Sequence, residues 1–361
     1  MRSKLILIYI FIAMLIISNP AYSKHKKGCE IKNPEQAEFY CPEGKLLWKY
    51  NAGSEIISSP VISADKLYFA SKEGIIFSIK LKTGGISWKA NVGSEIAGSS
   101  PVIYDKRLFI GTLKGKLYSI DNNSGSIIWS YQAKDFIKST PIAYKGHIYI
   151  GSGDRQVYSL FMPTGTASWV YTTTGPIESS PALAANTLYV SSLDGYLYAL
   201  DLQTGKFLWS FQTQGAISAT PLAVDKFVYT GSTDKNLYAV DSETGKQLWA
   251  TELAGIITAS PVYDNKQLYV GDGKGYIYSI NSDNGSIIWS FRTGGAILSP
   301  PMISNGVVYI HSGDRNLYAL NAENGKLIWK YTVSGAVLTS PVMAEGILYF
   351  GSEDGYLYAI K

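Results

Sequence analysis

The sequence predicts an all-β protein, a closed ring of eight four-stranded blades, and two periodic features indicate this fold. Tryptophan recurs every 40 residues with a single interval of 41, and proline follows the same period. A fixed period of this length is typical of solenoids and β-propellers. The tryptophans are Trp48, Trp88, Trp129, Trp169, Trp209, Trp249, Trp289 and Trp329, and the prolines are Pro60, Pro101, Pro141, Pro181, Pro221, Pro261, Pro301 and Pro341.

The residues within one period predict four short antiparallel strands. Residues 215–249 read GAISATPLAVDKFVYTGSTDKNLYAVDSETGKQLW, in which β-branched and aromatic runs are separated by turns rich in Asp, Ser, Thr and Gly. Runs of this composition favour strands, and the residues between them favour tight turns. No segment of the repeat shows the 3.6-residue period of a helix. Four antiparallel strands per 40 residues form the blade of a β-propeller.

The two ends of the chain predict how the ring closes. The last repeat has a third strand, residues 356–360, but no fourth, and the strand at residues 44–50 has no three strands before it. We therefore expect the N-terminal strand to complete the C-terminal blade, so that residues 44–361 form one eight-bladed β-propeller. Several short sequence segments also recur after 160 residues, which indicates that a four-bladed half was duplicated.

Residues 1–43 predict a targeting segment followed by an extension. Residues 1–23 have the pattern of a cleaved signal peptide, since Arg2 and Lys4 precede an apolar run and small residues end it. The apolar run is shorter than the ~20 residues of a spanning helix, although an uncleaved anchor is the alternative. Within residues 24–43, Cys29 and Cys41 are expected to form a disulfide, because an isolated pair in an exported protein usually does. The protein is therefore expected to be periplasmic or secreted.

Charge and composition argue against a nucleic-acid partner. Without residues 1–23 the net charge falls from +4 to +2, whereas nucleic-acid binding requires a clustered basic face. Only 17% of the residues are charged, and 13% are aromatic. The sequence predicts a monomeric exported propeller with no transmembrane segment after removal of the signal peptide.

A motif precedes each tryptophan. Residues 199–209 (ALDLQTGKFLW) and 239–249 (AVDSETGKQLW) both fit the pattern A-x-D-x-x-T-G-x-x-x-W. The pattern resembles the tryptophan-docking repeat of the PQQ-like, or quinoprotein-type, β-propellers, and the resemblance covers residues 44–361. In this motif Asp or Asn caps the turn, Gly adopts a backbone conformation that other residues resist, and the indole docks on the neighbouring blade. Lys80 and Phe161 depart from the motif, because each stands at the Asp position.

The resemblance implies one of two functional classes. Quinoprotein dehydrogenases of the family hold PQQ and calcium in the axial channel and use acidic and amide ligands, an aspartate base and an arginine. Many of them also contain a vicinal cysteine pair, which this chain lacks, and its regular repeats leave no insertion for a cofactor pocket. We therefore expect the BamB-like, non-catalytic branch, a scaffold without cofactor or metal that binds protein partners of the cell envelope in outer-membrane protein assembly. A PQQ-dependent dehydrogenase and a periplasmic ligand sensor are the alternatives.

Positions that break the repeat are the candidate binding residues. Three residues before the repeated proline, two adjacent blades have a charge where the other blades are neutral. The sequence SGDR occurs in two opposed blades, and two further polar residues replace small ones near the ends of second strands. These residues are predicted to form a polar mouth for an acidic peptide or small ligand, or else to be ordinary loop charges with one local ion pair. The candidates are Lys138, Glu178, Arg155, Arg315, His311 and Asp272.

Overall fold

The structure is a computed structural model that describes residues 43–361, and all regular secondary structure in this range is β-strand. The predicted signal peptide, the extension up to residue 42 and both cysteines lie outside the described residues. Residues 43–361 contain no helix with the length and apolar character needed to span a lipid bilayer.

Thirty-two strands form eight separate four-stranded antiparallel sheets. The innermost strands are β2 (Val61–Ser63), β6 (Val102–Tyr104), β10 (Ile142–Tyr144), β14 (Ala182–Ala184), β18 (Leu222–Val224), β22 (Val262–Asp264), β26 (Met302–Ser304) and β30 (Val342–Ala344). The second strands are β3 (Lys66–Ala70), β7 (Arg107–Gly111), β11 (His147–Gly151), β15 (Thr187–Ser191), β19 (Phe227–Gly231), β23 (Gln267–Gly271), β27 (Val307–Ser312) and β31 (Ile347–Gly351). The third strands are β4 (Ile75–Lys80), β8 (Lys116–Asp121), β12 (Gln156–Phe161), β16 (Tyr196–Asp201), β20 (Asn236–Asp241), β24 (Tyr276–Asn281), β28 (Asn316–Asn321) and β32 (Tyr356–Ile360). The outer strands are β5 (Ile86–Asn91), β9 (Ile127–Gln132), β13 (Thr166–Thr172), β17 (Phe207–Gln212), β21 (Gln247–Glu252), β25 (Ile287–Arg292), β29 (Leu327–Thr332) and β1 (Leu46–Asn51).

The first strand of the sequence closes the ring, as the sequence predicts. β1 pairs antiparallel with β32, with Trp48 opposite Ala359, and the sheet order is β1-β32-β31-β30. Lys45 and Lys361 exchange two backbone hydrogen bonds of 2.7 and 2.8 Å at the end of this pair. Innermost strands of neighbouring blades contact one another, including β30 with β2. The predicted eight-bladed propeller is confirmed.

The hydrophobic core lies between the blades and is built from one unit that repeats around the ring. In the unit of β19 and β21, the rings of Tyr229 and Trp249 are 5.8 Å apart. The Tyr229 hydroxyl and the Trp249 indole N–H both donate to the carbonyl oxygen of Ser282 in the next blade, each at 3.1 Å. Burying an aromatic side chain of this size contributes about 1.5–3 kcal/mol, and each of the two rings has its one polar group satisfied by its hydrogen bond. The repeat therefore fastens each blade to the next.

The turn that receives each indole is shaped by its own sequence. In the turn after β20, the Asp241 carboxylate accepts hydrogen bonds from the backbone N–H and the hydroxyl of Thr244, both at 2.8 Å, and these bonds lower the pKa of Asp241. Gly245 follows with φ +71°, and a Cβ there would lie 2.7 Å from the Trp209 ring. The glycine is required because the indole packs directly on its backbone. The same docking joins Gly84 to Trp48, Gly125 to Trp88, Gly165 to Trp129, Gly205 to Trp169, Gly285 to Trp249, Gly325 to Trp289 and Gly44 to Trp329.

Candidate functional site

Two sets of loops share one face of the ring, which we call the loop face. One set joins each outer strand to the next innermost strand, and the other joins second to third strands. Their contacts are direct, since Gly153 N–H donates to Phe136 O at 2.9 Å and Lys134 N–H donates to the Asp154 carboxylate at 2.9 Å. All six candidate binding residues lie in these loops or in strand ends next to them.

Aspartates on the loop face are hydrogen-bonded within the protein. The Asp194 carboxylate accepts hydrogen bonds from Gly175 N–H at 2.9 Å and from the hydroxyls of Thr174 and Tyr198 at 2.7 and 2.9 Å. Burial of this carboxylate acts to raise its pKa, but the hydrogen bonds outweigh burial and lower the pKa. Burial, opposed by hydrogen bonds with Thr174 and reinforced by Asp194, raises the pKa of Tyr198 to about 12. The same Asp–Tyr pair occurs at Asp154–Tyr158, Asp234–Tyr238, Asp314–Tyr318 and Asp354–Tyr358.

The blade of β23 and β24 lacks this Asp–Tyr pair, because Lys274 stands at the position of the aspartate. Two residues earlier, Asp272 stands where the other blades have Ser or Thr. Its side chain is fully buried and accepts hydrogen bonds from the N–H groups of Gly255, Lys274 and Tyr276 at 2.8–2.9 Å. It also accepts the Tyr278 hydroxyl at 3.2 Å. The Asp272 carboxylate thus accepts the hydrogen bonds that Ser192 and Asp194 accept together in the blade of β15 and β16. It is turned away from solvent.

His311 is also inside the protein, at the interface between the blade of β27 and the closing blade. Its side chain is 1% exposed, its Nδ1–H donates to Thr339 O at 2.8 Å, and its ring lies 4.7 Å from that of Phe350. Five blades have Gly at this position, where a Cβ would overlap an Ile side chain of the next blade. The corresponding residue beside His311 is Val337, which is one methylene shorter. The imidazole therefore occupies a position at the blade interface where five other blades have glycine.

Lys138 and Glu178 form an ion pair across two adjacent blades. The distance from Nζ to Oε1 is 2.6 Å, and about a third of each side chain is exposed. Lys138 Nζ also lies 4.8 Å from the centre of the Phe136 ring. The two charges neutralise each other, so this position offers no unpaired charge to a ligand.

Arg155 and Arg315 lie in equivalent turns of blades four apart in the ring. Both are exposed and have positive φ, +68° and +70°, and their carbonyls accept the N–H groups of Thr173 and Val333. No hydrogen bond or ion pair joins either guanidinium to another residue in the described part of the chain. The structure does not bring these arginines together with the Lys138–Glu178 pair.

Lys138 and Glu178 belong to a ring of residues around the axis, which we call the mouth ring. Adjacent positions approach closely at two places, since a Cβ at Gly98 would lie 3.2 Å from Lys138 Cβ and Lys138 is paired with Glu178. Leu298 and Leu338 are 45% and 39% exposed, and Ile57 in the next blade is half-buried. Sequence reasoning treated these three as neutral and missed that they form an apolar arc. The members are Ile57, Gly98, Lys138, Glu178, Ser218, Thr258, Leu298 and Leu338.

Two residues further along the chain, a second ring holds the blades together by hydrogen bonds, and we call it the throat ring. Each backbone N–H donates to the hydroxyl of the next blade, for example Ser59 N–H to Ser100 Oγ at 2.9 Å. The circuit passes through the closing blade, where Ser340 N–H donates to Ser59 Oγ at 2.9 Å. It is interrupted at Pro300, whose carbonyl accepts the Ser340 hydroxyl. The members are Ser59, Ser100, Thr140, Ser180, Thr220, Ser260, Pro300 and Ser340.

Comparison with known proteins identifies the family. The family model described as the β-propeller of the beta-alanine-activating enzyme matches residues 160–361, more than half of the chain. The model described as outer membrane protein assembly factor BamB matches residues 72–181. The chain belongs to the PQQ-like β-propeller family. No curated protein matches this PQQ-like propeller.

Solved structures share the fold of this PQQ-like propeller at low sequence identity. BamB from Moraxella catarrhalis is 22% identical with a TM-score of 0.75, over 88% of this chain and 97% of that one. The computationally designed protein Ika8 is 18% identical with a TM-score of 0.79, over 88% and 99%. Quinohemoprotein alcohol dehydrogenase from Comamonas testosteroni is 14% identical with a TM-score of 0.76, over 87% and 76%. A BamB protein, a designed protein and an alcohol dehydrogenase are thus similar in fold, and function must be argued from the side chains.

Proposed function

We propose that this propeller is a non-enzymatic scaffold that binds other proteins on its loop face. The observation that carries the proposal is the apolar arc of the mouth ring, Leu298, Leu338 and Ile57, which lies in three consecutive blades. Exposed apolar side chains grouped within a polar surface are typical of protein-interaction sites. The Lys138–Glu178 pair on the other side of the ring is neutral overall, so the mouth favours an uncharged apolar segment at its centre.

The side chains around the axis favour a scaffold over a quinoprotein dehydrogenase. Calcium requires several converging oxygen ligands, and among residues 43–361 no three His, Cys, Asp or Glu side chains form such a group. The loop-face aspartates accept hydrogen bonds from neighbouring loops and tyrosines, and Lys138 is paired with Glu178. The donors and cations present therefore do not fit PQQ with its calcium ion, and we derive no reaction from them.

The finer form of the proposal places the protein in the cell envelope, with a role in outer-membrane protein assembly. The match of residues 72–181 to the BamB model and the fold shared with a BamB structure support this role. The signal-peptide pattern of residues 1–23 supports export to the periplasm or beyond.

Site-specific photo-crosslinking tests the proposal. Benzoylphenylalanine is introduced at Leu298 or Leu338, and in a control protein at Glu345, which is exposed in a turn on the opposite face. In envelope preparations we expect the two mouth positions to give the same protein adduct and Glu345 to give none. A double variant, Leu298→Ser with Leu338→Ser, should lose co-purification of that partner while its melting temperature stays unchanged.

Two results would contradict the scaffold assignment. Equal adducts from both faces would show that the mouth ring has no special role in contacts with proteins. Appearance of a bound quinone spectrum after addition of PQQ and calcium, together with dye-linked alcohol oxidation, would establish the dehydrogenase instead. Recovery of an outer-membrane assembly complex as the adduct would support the finer proposal.

A further inference from the structure

The outer strands form the rim of the propeller and leave backbone groups available. Each is the last strand of its four-stranded sheet and pairs with one neighbour only, as β13 pairs with β12. The N–H and C=O groups on the free side of such a strand can pair with another extended chain. Natural edge strands are protected against this by charged side chains, proline and bulges.

Five of the eight rim strands carry a charged side chain, and β9, β13 and β17 carry none. Every rim strand has a register shift immediately before its tryptophan, and the extra residue there is large and apolar in six blades and serine in two. The serines are Ser87 in β5 and Ser168 in β13. β5 places Lys89 directly after its tryptophan, whereas β13 places Val170 there. Of the two strands with a small bulge residue, only β13 is free of charge.

β13 is also the longest rim strand. It spans seven residues, Thr166–Thr172, where the other rim strands span six. Phe161 stands at the position of the capping aspartate in this turn, and it pairs with Thr166 at the start of the ladder.

Apolar side chains border the free edge of β13. Phe161 and Val170 are 43% and 48% exposed. From the next blade, Phe207 is 51% exposed and stacks on Tyr171 of β13, with ring centroids 6.5 Å apart. An added strand would meet apolar groups as well as unpaired backbone groups.

We propose that the free edge of β13 binds an extended, uncharged protein segment as a fifth strand of its blade. The unpaired backbone groups call for an extended chain, and the absence of charge on β13 favours β-branched or apolar residues in the segment. A second copy of the propeller is disfavoured, because two convex rims would meet along one strand each and fall short of the roughly 1,200–2,000 Å² of stable interfaces. This surface lies on the rim, and it is tested independently of the loop face.

A peptide-binding experiment with reciprocal variants tests the proposal. The probe is an acetylated and amidated Thr-Val-Thr-Val-Thr-Val-Thr peptide with fluorescein on a glycine linker, and its anisotropy is measured with the purified chain. We expect one peptide per chain, with binding weakened at least about tenfold by Val170→Lys, which installs the residue of the equivalent β5 position. The matched variant Lys89→Val should create a second binding site on β5.

Hydrogen exchange and the oligomeric state complete the test. Peptide binding should slow amide exchange within residues 166–172, and a peptide with proline at its central position should bind more weakly, because proline lacks the N–H donor. Equal binding by the wild type and Val170→Lys, at unchanged melting temperature, would overturn the proposal. A dimer in sedimentation that Val170→Lys dissociates would also overturn it in favour of pairing between two copies.

Discussion

Replacement of Gly245 by alanine tests whether indole docking holds neighbouring blades together. Gly245 has φ +71°, and an added Cβ would lie 2.7 Å from Cδ2 and Cε3 of Trp209. Ordinary carbon contacts are about 3.5–4.0 Å, so the indole must move by about 1 Å. That movement strains the 3.1 Å hydrogen bond from Trp209 Nε1–H to Ser242 O and disturbs the packing of a ring that is 9% exposed.

The expected cost is the sum of a backbone effect and a packing effect. A non-glycine residue in the left-handed region costs roughly 1–2 kcal/mol, and overpacking a well-packed site costs about 1–3 kcal/mol. Gly306 provides the matched control, because it has a similar φ of +73° and no atom within 4 Å of its added Cβ. The backbone effect is common to both variants, so we expect Gly245→Ala to lose about 1–3 kcal/mol more than Gly306→Ala.

Thermal unfolding followed by circular dichroism measures the difference. For a domain of this size, 1 kcal/mol corresponds to a shift of roughly 2 °C, so Gly245→Ala should melt about 2–6 °C below Gly306→Ala. In a Trp209→Leu background the extra loss should disappear, because the ring that the Cβ displaces is absent. Equal melting temperatures for the two alanine variants would refute the docking argument.

Two further predictions concern a buried base and the throat ring. Burial, opposed by the hydrogen bond to Thr339, lowers the pKa of His311 to about 3, whereas an unfolded histidine titrates near 6.5. Between these values the unfolded chain binds the proton, so the stability contributed by neutral His311 is complete above pH 6.5 and is lost as the pH falls towards 3. His311→Gly, the residue of five other blades, should reduce the loss of unfolding free energy between pH 7 and pH 5 by about 2 kcal/mol, and an unchanged pH profile would contradict this assignment. Ser59→Ala removes the hydroxyl that accepts Ser340 N–H at 2.9 Å and should cost about 1–3 kcal/mol in urea unfolding. Ser218→Ala in the mouth ring is its control, and equal losses would show that the throat ring does not hold the closing blade.

The fold could be predicted from the sequence because its determinants are local and repeated. The turn chemistry of Asp241, Thr244 and Gly245 lies within five residues, and the tryptophan follows four residues later. Each repeat therefore specifies its own strands and turn, and eight repeats specify the number of blades. The pairing of β1 with β32 followed from counting strands, since the incomplete blade at one end lacks the strand present at the other.

The candidate site was predicted less completely, because its properties depend on neighbours in other blades. The break at Asp272 is visible in the sequence, but its meaning depends on Gly255 and Tyr278, whose donors the buried carboxylate satisfies. Alignment of the repeats shows that His311 and Val337 both depart from the repeat, because five blades have Gly at the first position and seven have Ile at the second. The sequence showed two polar replacements, and the structure places both inside the propeller.

By itself, the sequence determined the blades, their number and the closure of the ring, because hydrogen bonding and glycine conformation act over a few residues. Only the tertiary structure decided which irregular side chains reach the surface. It placed Leu298 and Leu338 in solvent at the mouth and paired Lys138 with Glu178, and it left β13 as the longest rim strand. Exposure and pairing of this kind depend on contacts between residues 40 or more positions apart, which no local pattern records.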